Sequence, residues 1–540
     1  MTYSAQSDRL DSPACARRAG LLRLALVLLI VLLIGAPSLI YPFGRDQGEY
    51  ATIAELALRG RVIYRDVFNV KPPATHLLHA LALTLFGRSM QAIRWLDLLW
   101  QAATALVLLR IADRVGLNRR LALLAPVLYA IAYYAHDFWN TAQTDGFLNL
   151  PAALAVLAFL RAQQRGERWA YAASGAAIGL AVLFKYPIGI LLPLLWLCAA
   201  LARRRLWRAL VWMSLGCALP LIGCAVWLYA QGALLPFVES QVRYLTRYES
   251  RDVLGYGRWL LLAAILFVQR AQTLILGLGL SAAIVALRAR RGATIDAALL
   301  VVSSWFAAGA LAYLAQGKGY VYHGLPMLAP YALLGAVVVQ RVIAGPPSTT
   351  RRRRLLLVAL VTSMLALPTS MFTGRMAQTR APWLLLRGSA ARLDGRELCH
   401  ESPRLCMAAQ PGFSLPDQLA AADYIAAHSE PSDPLFIWGF EPTIYFVARR
   451  EPASRFVFNL VLLGDWRWPE LRAQLLDDLE RRPPRYIVVA SEDTMPMTTG
   501  SDDDSAAALQ GFRELQRLID AAYRLDATYG HLTLYRRAAP

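Results

Sequence analysis

The sequence predicts a multi-pass α-helical membrane protein with an extracytoplasmic α/β domain at its C-terminal end. Of its 540 residues, 57% are hydrophobic. These residues fall in blocks of about 20, the length of helix that crosses a bilayer. Arginine-rich segments separate the blocks in a regular order. After Phe372 the blocks stop, and short apolar segments alternate with helix-like ones, which is typical of a small α/β domain.

The apolar blocks predict about 11 transmembrane helices. They lie in a domain at 20–373, between a polar cytoplasmic tail at 1–19 and a soluble domain at 374–540. Loops rich in Arg and Lys stay in the cytoplasm, so the N-terminus is predicted inside and the C-terminal domain outside. The arginine clusters follow every second block, at 110–120, 161–168, 203–208, 288–291 and 351–354. The predicted helices lie near 20–42, 90–111, 120–136, 146–163, 169–185, 188–202, 208–230, 258–287, 294–315, 322–342 and 354–373.

The net charge of +19 comes largely from these short loops. In a soluble protein such a charge would suggest nucleic acid as a partner. In the loops of a membrane protein it orients the helices and can hold anionic lipid. We therefore expect membrane lipids, and no nucleic acid, among the partners.

The first outer segment, 43–89, is too long for a simple turn and carries two predicted helices. An amphipathic helix is expected at 48–60. An apolar helix at 73–86 is expected to lie at the membrane surface, because a crossing there would reverse the side of every later arginine cluster. Two further outer segments are predicted at 231–257 and 316–322.

In the C-terminal domain, "DPLFIWG" and "PRYIVVA" predict buried strands. The segment "SLPDQLAAADYIAAH" predicts a helix with Ser414 or Asp417 near its start. A second helix is predicted for "SAAALQGFRELQRLIDAAY". Cys399 and Cys406 could form a disulfide if this domain is extracytoplasmic.

Acidic and basic residues gather at the predicted outer face. Asp46 and Glu49 lie just after the first apolar block, at a spacing that puts them on one face of a helix. Either they are charges at a helix start, where carboxylates are favoured, or they face a cavity, as costly carboxylates at membrane depth usually do. Lys71 precedes Pro72 and Pro73, which fix the loop. It either reaches the membrane surface on its apolar stem or binds an anion.

Asp145 opens the fourth apolar helix and either caps it or serves as a functional acid. Lys185 lies at the outer end of a short helix and is followed by Pro187, and Lys318 and His323 lie at another outer end. Acids can deprotonate an incoming hydroxyl or amine, and lysines can hold a phosphate whose charge grows as it departs. The pattern therefore predicts transfer of a group from a lipid phosphate.

The first outer loop resembles that of the GT-C fold glycosyltransferases, with "GRDQGEYATIAELALRG", then "KPP" and a short helix ending in "FG". It is most similar to the bacterial lipid A aminoarabinose transferases and the protein O-mannosyltransferases. The similarity covers most of the chain. It continues through "TDGFLNLPAALA", "GLAVLFKYP" and "YHGLPMLAPYALL", and reaches "FIWGFEPTIYFVARREPASRF" and "PPRYIVVA" near the C-terminus.

This resemblance implies an enzyme of the bacterial cytoplasmic membrane that takes a hexose or pentose from a polyprenyl-phosphate donor. It implies transfer with inversion to a lipid, lipopolysaccharide, cell-wall glycan or protein at the extracytoplasmic face. By matching position, Asp46 is implied to be the catalytic base or acceptor-orienting acid, with Glu49 and Asp145 as further acids. The implied residues for the donor phosphate are Lys71, Lys185 and His323.

The chain departs from the lipid A branch at two places. That branch often has an acid directly before the Lys-Pro-Pro motif, where this chain has Val70, and the segment 231–257 contains no histidine. We therefore expect neither a required divalent metal nor lipid A as the acceptor.

Three alternative functions remain open from the sequence: a lipid-linked sugar flippase, another transporter and a polysaccharide polymerase. Transporters tend to carry charges near the bilayer midplane, whereas here the charges gather at one face, which favours the enzyme. The C-terminal domain could alternatively be only an interaction module.

Overall fold

The computed structural model describes residues 13–202, 205–245, 297–316, 318, 320–343, 399, 406, 412–464 and 468–538. The predicted transmembrane helices near 258–287 and 354–373 lie outside these residues, as does most of the predicted tail. The described residues are mostly helical up to Ile343, and a four-stranded sheet with flanking helices lies in the C-terminal part, 412–538.

Six helices are long and apolar enough to cross a membrane, and they coincide with six of the predicted spans. The predicted spans near 120–136, 169–185 and 188–202 correspond to shorter helices, so the total of about 11 stays a prediction. The six helices are Arg18–Ile40, Met90–Arg114, Thr144–Arg165, Leu206–Ala230, Ala297–Gln316 and Val321–Gln340.

The α-helices of this part are numbered here in chain order. They are α1 (Pro13–Gly35), α2 (Arg45–Leu58), α3 (Pro73–Phe86), α4 (Gln91–Arg114), α5 (Leu124–Tyr134), α6 (Thr144–Phe147), α7 (Asn149–Arg165), α8 (Arg168–Val182), α9 (Leu191–Leu201), α10 (Leu206–Ala230), α11 (Leu234–Glu239), α12 (Ala297–Gln316) and α13 (Leu328–Ile343). Short 3-10 helices at Tyr186–Ile190 and Val321–Met327 lead into α9 and α13.

The first outer segment folds into α2 and α3, which pack against each other. Helix α2 begins three residues earlier than the predicted 48–60 because Gly44, in an extended conformation, acts as its N-cap. The Gln47 side chain accepts a hydrogen bond from the Gly44 N–H at 3.0 Å. Helix α3 has the predicted bounds, since Pro73 favours its first turn and Gly87 ends it with a φ of +79°.

The C-terminal part contains the strands β1 (Leu435–Trp438), β2 (Tyr486–Ala490), β3 (Tyr523–Tyr529) and β4 (Leu532–Arg537) in the sheet order β1-β2-β4-β3. Strands β1 and β2 are parallel, and the other two neighbouring pairs are antiparallel. The flanking helices are α14 (Leu415–Ala427), α15 (Thr443–Ala448), α16 (Pro469–Arg481), α17 (Pro496–Thr499), α18 (Ser505–Gln510) and α19 (Arg513–Ala522).

Both strands predicted in this part are present, and Ser414 caps α14 as expected, with its side chain accepting from the Asp417 N–H. The single second helix was a wrong prediction, because the chain forms α18 and α19 with a break at Gly511 and Phe512. Phe512 is buried at this break.

Cys399 and Cys406 are joined by a disulfide. The extracytoplasmic location of this part stays a prediction.

Candidate active site

A cavity of about 180 Å³ lies where the segment 43–89, one end of several apolar helices and the C-terminal part meet. The structure brings all six candidate site residues to its walls, although they come from four separate stretches of the chain. They are Asp46, Glu49, Lys71, Asp145, Lys185 and His323. Their catalytic and binding roles stay predictions.

Hydrogen bonds fix the start of α2 against the loop between α5 and α6. The Gln47 side-chain amide donates to the backbone oxygens of Phe138, Trp139 and Thr141, at 3.3, 3.2 and 2.8 Å. Arg94, fully buried on α4, donates to the same Phe138 and Thr141 oxygens. The helix that carries Asp46 therefore has a fixed position relative to α6.

Asp46 and Lys71 form an ion pair on the cavity wall. The Lys71 Nζ lies 2.9 Å from Asp46 Oδ1 and also donates to the Tyr50 hydroxyl. The other oxygen of Asp46 accepts from Gln143 at 3.1 Å. The Lys71 ammonium therefore contacts the Asp46 carboxylate and the Tyr50 hydroxyl. Extension of its apolar stem to the membrane surface does not by itself describe this side chain.

The charges of this pair support each other's ionised forms. Burial raises the pKa of Asp46, but the Lys71 charge and its hydrogen bond outweigh burial and hold that pKa below its ordinary value. The charge of Lys185 acts in the same direction. Burial likewise lowers the pKa of Lys71, and the Asp46 carboxylate more than offsets this, so the pKa is raised well above its ordinary value.

Glu49 lies in the second turn of α2, beyond the first turn where a helix-start charge is favoured. Its carboxylate accepts a hydrogen bond from the Asn69 side chain at 2.5 Å. Burial raises its pKa to about 7, against the opposing charge of Lys71. Burial therefore favours the protonated form of Glu49, whereas the Lys71 ammonium favours the ionised form of Asp46.

A second pair, Asp145 with Lys185, lines the same cavity. Lys185 Nζ lies 3.0 Å from Asp145 Oδ2, and the Gln316 side chain approaches the other oxygen at 3.5 Å. The N-cap of α6 is Gln143, and Asp145 lies in the first turn, so of the two alternatives for Asp145 the capping role is excluded. Lys185 lies between α8 and the helix at Tyr186–Ile190, in an extended conformation that separates the two.

His323 and Lys318 reach the cavity from the segment between α12 and α13, and both are buried. The ring of Tyr322 connects this segment to the second pair, since it lies 4.8 Å from the His323 ring and 5.9 Å from Lys185 Nζ. A cation over a tyrosine face is attracted to it.

The neutral partners Tyr50, Gln143 and Gln316 were not predicted from the sequence, and Asn69 had no predicted role. Asn69 and Tyr50 lie next to residues that were singled out, so their positions carried a signal. Gln143 and Gln316 carried no such signal, because each donates a hydrogen bond to a carboxylate that is distant in sequence, Asp46 and Asp145 respectively.

Within the described ranges, His, Cys, Asp and Glu side chains form no group of three that could hold a metal ion. The expectation that no metal is required stays a prediction.

The arrangement places three ammonium groups, those of Lys71, Lys185 and Lys318, and three carboxyl groups around one cavity. Lys71 and Lys185 form the two ion pairs. Each of these two lysines faces a carboxylate at hydrogen-bond distance. An entering anion can therefore exchange with a carboxylate at either lysine, and the carboxylate so released can accept a proton. The apolar side chains Val70, Phe184 and Pro187 also line the cavity and can contact a ligand with a hydrocarbon part.

Comparison with known proteins identifies the fold. Residues 70–229 match the family model described as dolichyl-phosphate-mannose-protein mannosyltransferase. The structure is similar to apo ArnT from Cupriavidus metallidurans, with a TM-score of 0.55 and 17% identity over 97% of this chain and 98% of that one.

It is also similar to the archaeal oligosaccharyltransferase AglB from Archaeoglobus fulgidus, solved with an inhibitory peptide and a dolichol-phosphate. The TM-score is 0.52, with 13% identity over 95% of this chain and 74% of that one. At these identities the likeness concerns the fold, which agrees with the first-loop motif and with the apolar helices. The chain is therefore a membrane protein of the GT-C glycosyltransferase fold.

Proposed function

We propose that this protein is an integral-membrane glycosyltransferase that moves a monosaccharide from a polyprenyl-phosphate donor to a lipid or glycan acceptor, or to a protein. The reaction would take place at the extracytoplasmic face of a bacterial cytoplasmic membrane. The observation that carries the proposal is the pairing of Lys71 with Asp46, and of Lys185 with Asp145, on the walls of one cavity.

In this proposal Lys71, Lys185 and His323 hold the donor phosphate. The donor is a phosphodiester with one negative charge, and the released polyprenyl phosphate carries up to about two at neutral pH. Cations that face the phosphate stabilise the transition state because the negative charge grows as the bond breaks. The apolar lining beside Lys71 and Lys185 suits the first units of the lipid chain.

Asp46 is proposed as the proton acceptor. When the donor phosphate takes the ammonium of Lys71, Asp46 loses the main interaction that lowers its pKa, while burial, which raises that pKa, remains. Its pKa then moves towards the working pH, which improves proton transfer. Donor binding thus prepares the base for the acceptor.

The proposed transfer is a single displacement at the anomeric carbon. The acceptor oxygen attacks the anomeric carbon on the side opposite the phosphate, and its proton passes to the Asp46 carboxylate. The bond from the anomeric carbon to the phosphate oxygen breaks, and its electron pair stays on the phosphate. Configuration at the anomeric carbon inverts. Glu49 and Asp145 complete the acidic lining, and Asp145 is the group that Lys185 exchanges for the phosphate.

Purified protein in liposomes, supplied with labelled polyprenyl-phosphate monosaccharides and a bacterial membrane extract, tests this function. We expect label to pass to one acceptor class, one sugar per acceptor, with release of polyprenyl phosphate. Movement of intact donor across the bilayer without release would contradict the enzyme and identify a flippase. Growth of chains of several sugars would identify a polymerase.

A further inference from the structure

Helix α2 contacts both the cavity and the C-terminal part, and Arg45 in its first turn reaches both of them. Asp46 and Glu49 line the cavity. Arg45, Gly48 and Thr52 follow at spacings of three and four, which places them on a common face. Each of these three residues contacts one residue of the segment 441–443.

The contacts of this common face are close. A methyl group added at Gly48 would lie 2.0 Å from the Thr443 hydroxyl, so only glycine admits this approach. The Thr52 hydroxyl donates to the Pro442 backbone oxygen at 3.0 Å. The C-terminal part thus lies directly against the helix that carries the proposed base.

A buried ion pair completes the contact. Arg45 donates through Nε and one terminal nitrogen to Glu441 Oε1, at 3.0 and 2.7 Å, and the two side chains are 2% and 0% exposed. The guanidinium also donates to the Gly412 backbone oxygen at 3.0 Å. The second oxygen of Glu441 accepts from Gln418 on α14, so the carboxylate is fixed from both sides.

Such a pair is a weak source of net stability, because both charges lose their hydration. Two N–H groups of the Arg45 guanidinium converge on one oxygen of Glu441, however, and charge-assisted hydrogen bonds of this kind fix the direction of the side chain. Arg45 and Asp46 are adjacent in the first turn of α2, so the direction of one side chain constrains the helix start that carries the other. A shift of about 1 Å at a reacting group can cost roughly 100-fold in rate.

We propose that the Arg45–Glu441 pair is a positioning contact through which the C-terminal part holds the first turn of α2, and with it Asp46, in place for sugar transfer. The proposal rests on the proposed function, because the group being positioned is the acid of that reaction. It makes the C-terminal part a component of the active site and not only an interaction module.

The test compares Glu441→Gln with a matched control, Glu451→Gln, in the full-length protein. Glu451 also joins the first outer segment to the C-terminal part, through Arg61 at 2.9 Å, but this pair is partly exposed and does not line the cavity. We expect Glu441→Gln to lower kcat per folded molecule about 10- to 100-fold, with KM for the donor within about twofold of its original value. Glu451→Gln should leave both constants unchanged.

The double variant Arg45→Gln/Glu441→Gln separates positioning from folding, because it removes both buried charges and leaves neither without a counter-charge. We expect it to recover folded yield but not kcat. Recovery of kcat per folded molecule in the double variant would overturn the positioning role, as would equal kcat values for Glu441→Gln and Glu451→Gln. Absence of transfer by the unmodified protein, with its donor and acceptor extract present, would instead overturn the proposed function and the positioning role with it.

Discussion

At the residue scale, the main feature is the match between two lysines and two carboxylates around one cavity. Each ammonium is partly buried and lies within 3.0 Å of its acid. Each pair therefore adds little net charge to the cavity, and an anion could enter by exchange with a carboxylate. Such pairing explains how these two cations can line a largely buried cavity.

Lys71→Gln tests the role of this exchange in binding. Hydrogen bonds to charged groups contribute about 1.5–3 kcal/mol, so the affinity for polyprenyl phosphate should fall about 10- to 100-fold. A competition assay with labelled polyprenyl phosphate measures it. Arg65→Gln is the control, since Arg65 lies on the same loop, is exposed and pairs with Asp66. Equal affinities for the two variants would contradict a phosphate role for Lys71.

Glu49 gives a prediction for the pH dependence of stability. Burial raises its pKa from 4.5 to about 7, so between these values the folded protein binds more protons at this residue than the unfolded chain does. Its contribution to stability is therefore present at low pH and is lost as the pH rises through this window.

Glu49→Gln removes this titration and keeps an oxygen for the Asn69 amide. The stability of the variant relative to the unmodified protein should rise between pH 5 and pH 8, by up to about 3 kcal/mol. Thermal unfolding in detergent at the two pH values measures the change. A stability difference that is the same at both values would contradict the raised pKa.

At the element scale, local signals predicted the helices of the first outer segment well. The two prolines and Gly87 bound α3 at its predicted ends. The contact between α2 and the C-terminal part was not predictable, because Glu441 lies 396 residues from Arg45 in sequence. The sequence around each of these residues also contains no pattern that indicates the other as its partner. Gly48 gave no signal either, since its role depends on the close approach of Thr443.

Gly48→Ala tests this approach. The added methyl group would collide with Thr443, so α2 must shift away from the C-terminal part, and we expect lower thermal stability and a transfer rate reduced at least about tenfold. Gly223→Ala in α10 is the control, because an added methyl group there meets no described atom within 4 Å. Unfolding temperatures and transfer rates of the two variants should differ clearly. If Gly48→Ala matched Gly223→Ala in both, the close packing of α2 would be contradicted.

At the scale of the whole molecule, hydrophobic length predicted where six apolar helices lie. Their orientation, which the arginine clusters indicate, stays a prediction. The β3–β4 hairpin was missed because β3 is mostly exposed and polar, so no buried apolar run marked it. The candidate residues of the cavity were predictable as a group, since all lie in or near helix ends and loops on one predicted face. The hydrogen-bond partners of these residues were not predictable, because tertiary packing brings them together from distant parts of the sequence.

The predicted outward location of the C-terminal part can be checked through the Cys399–Cys406 disulfide. Disulfides persist in oxidising compartments. Alkylation of protein denatured directly from cells should therefore label these two cysteines only after reduction, as measured by mass spectrometry of the peptides. Full labelling without reductant would contradict the outward location.

The central claim is that Asp46 accepts the proton in sugar transfer, and the rate of transfer by Asp46→Asn measures it most directly. The amide keeps the size of the side chain but cannot act as the base, and loss of such a group costs about 100- to 10,000-fold. Asp66→Asn is the control, because Asp66 lies in the same outer segment but does not line the cavity. With folding intact, we expect transfer by Asp46→Asn below about 1% of the unmodified rate and near-normal transfer by Asp66→Asn. Transfer by Asp46→Asn at the unmodified rate would contradict it.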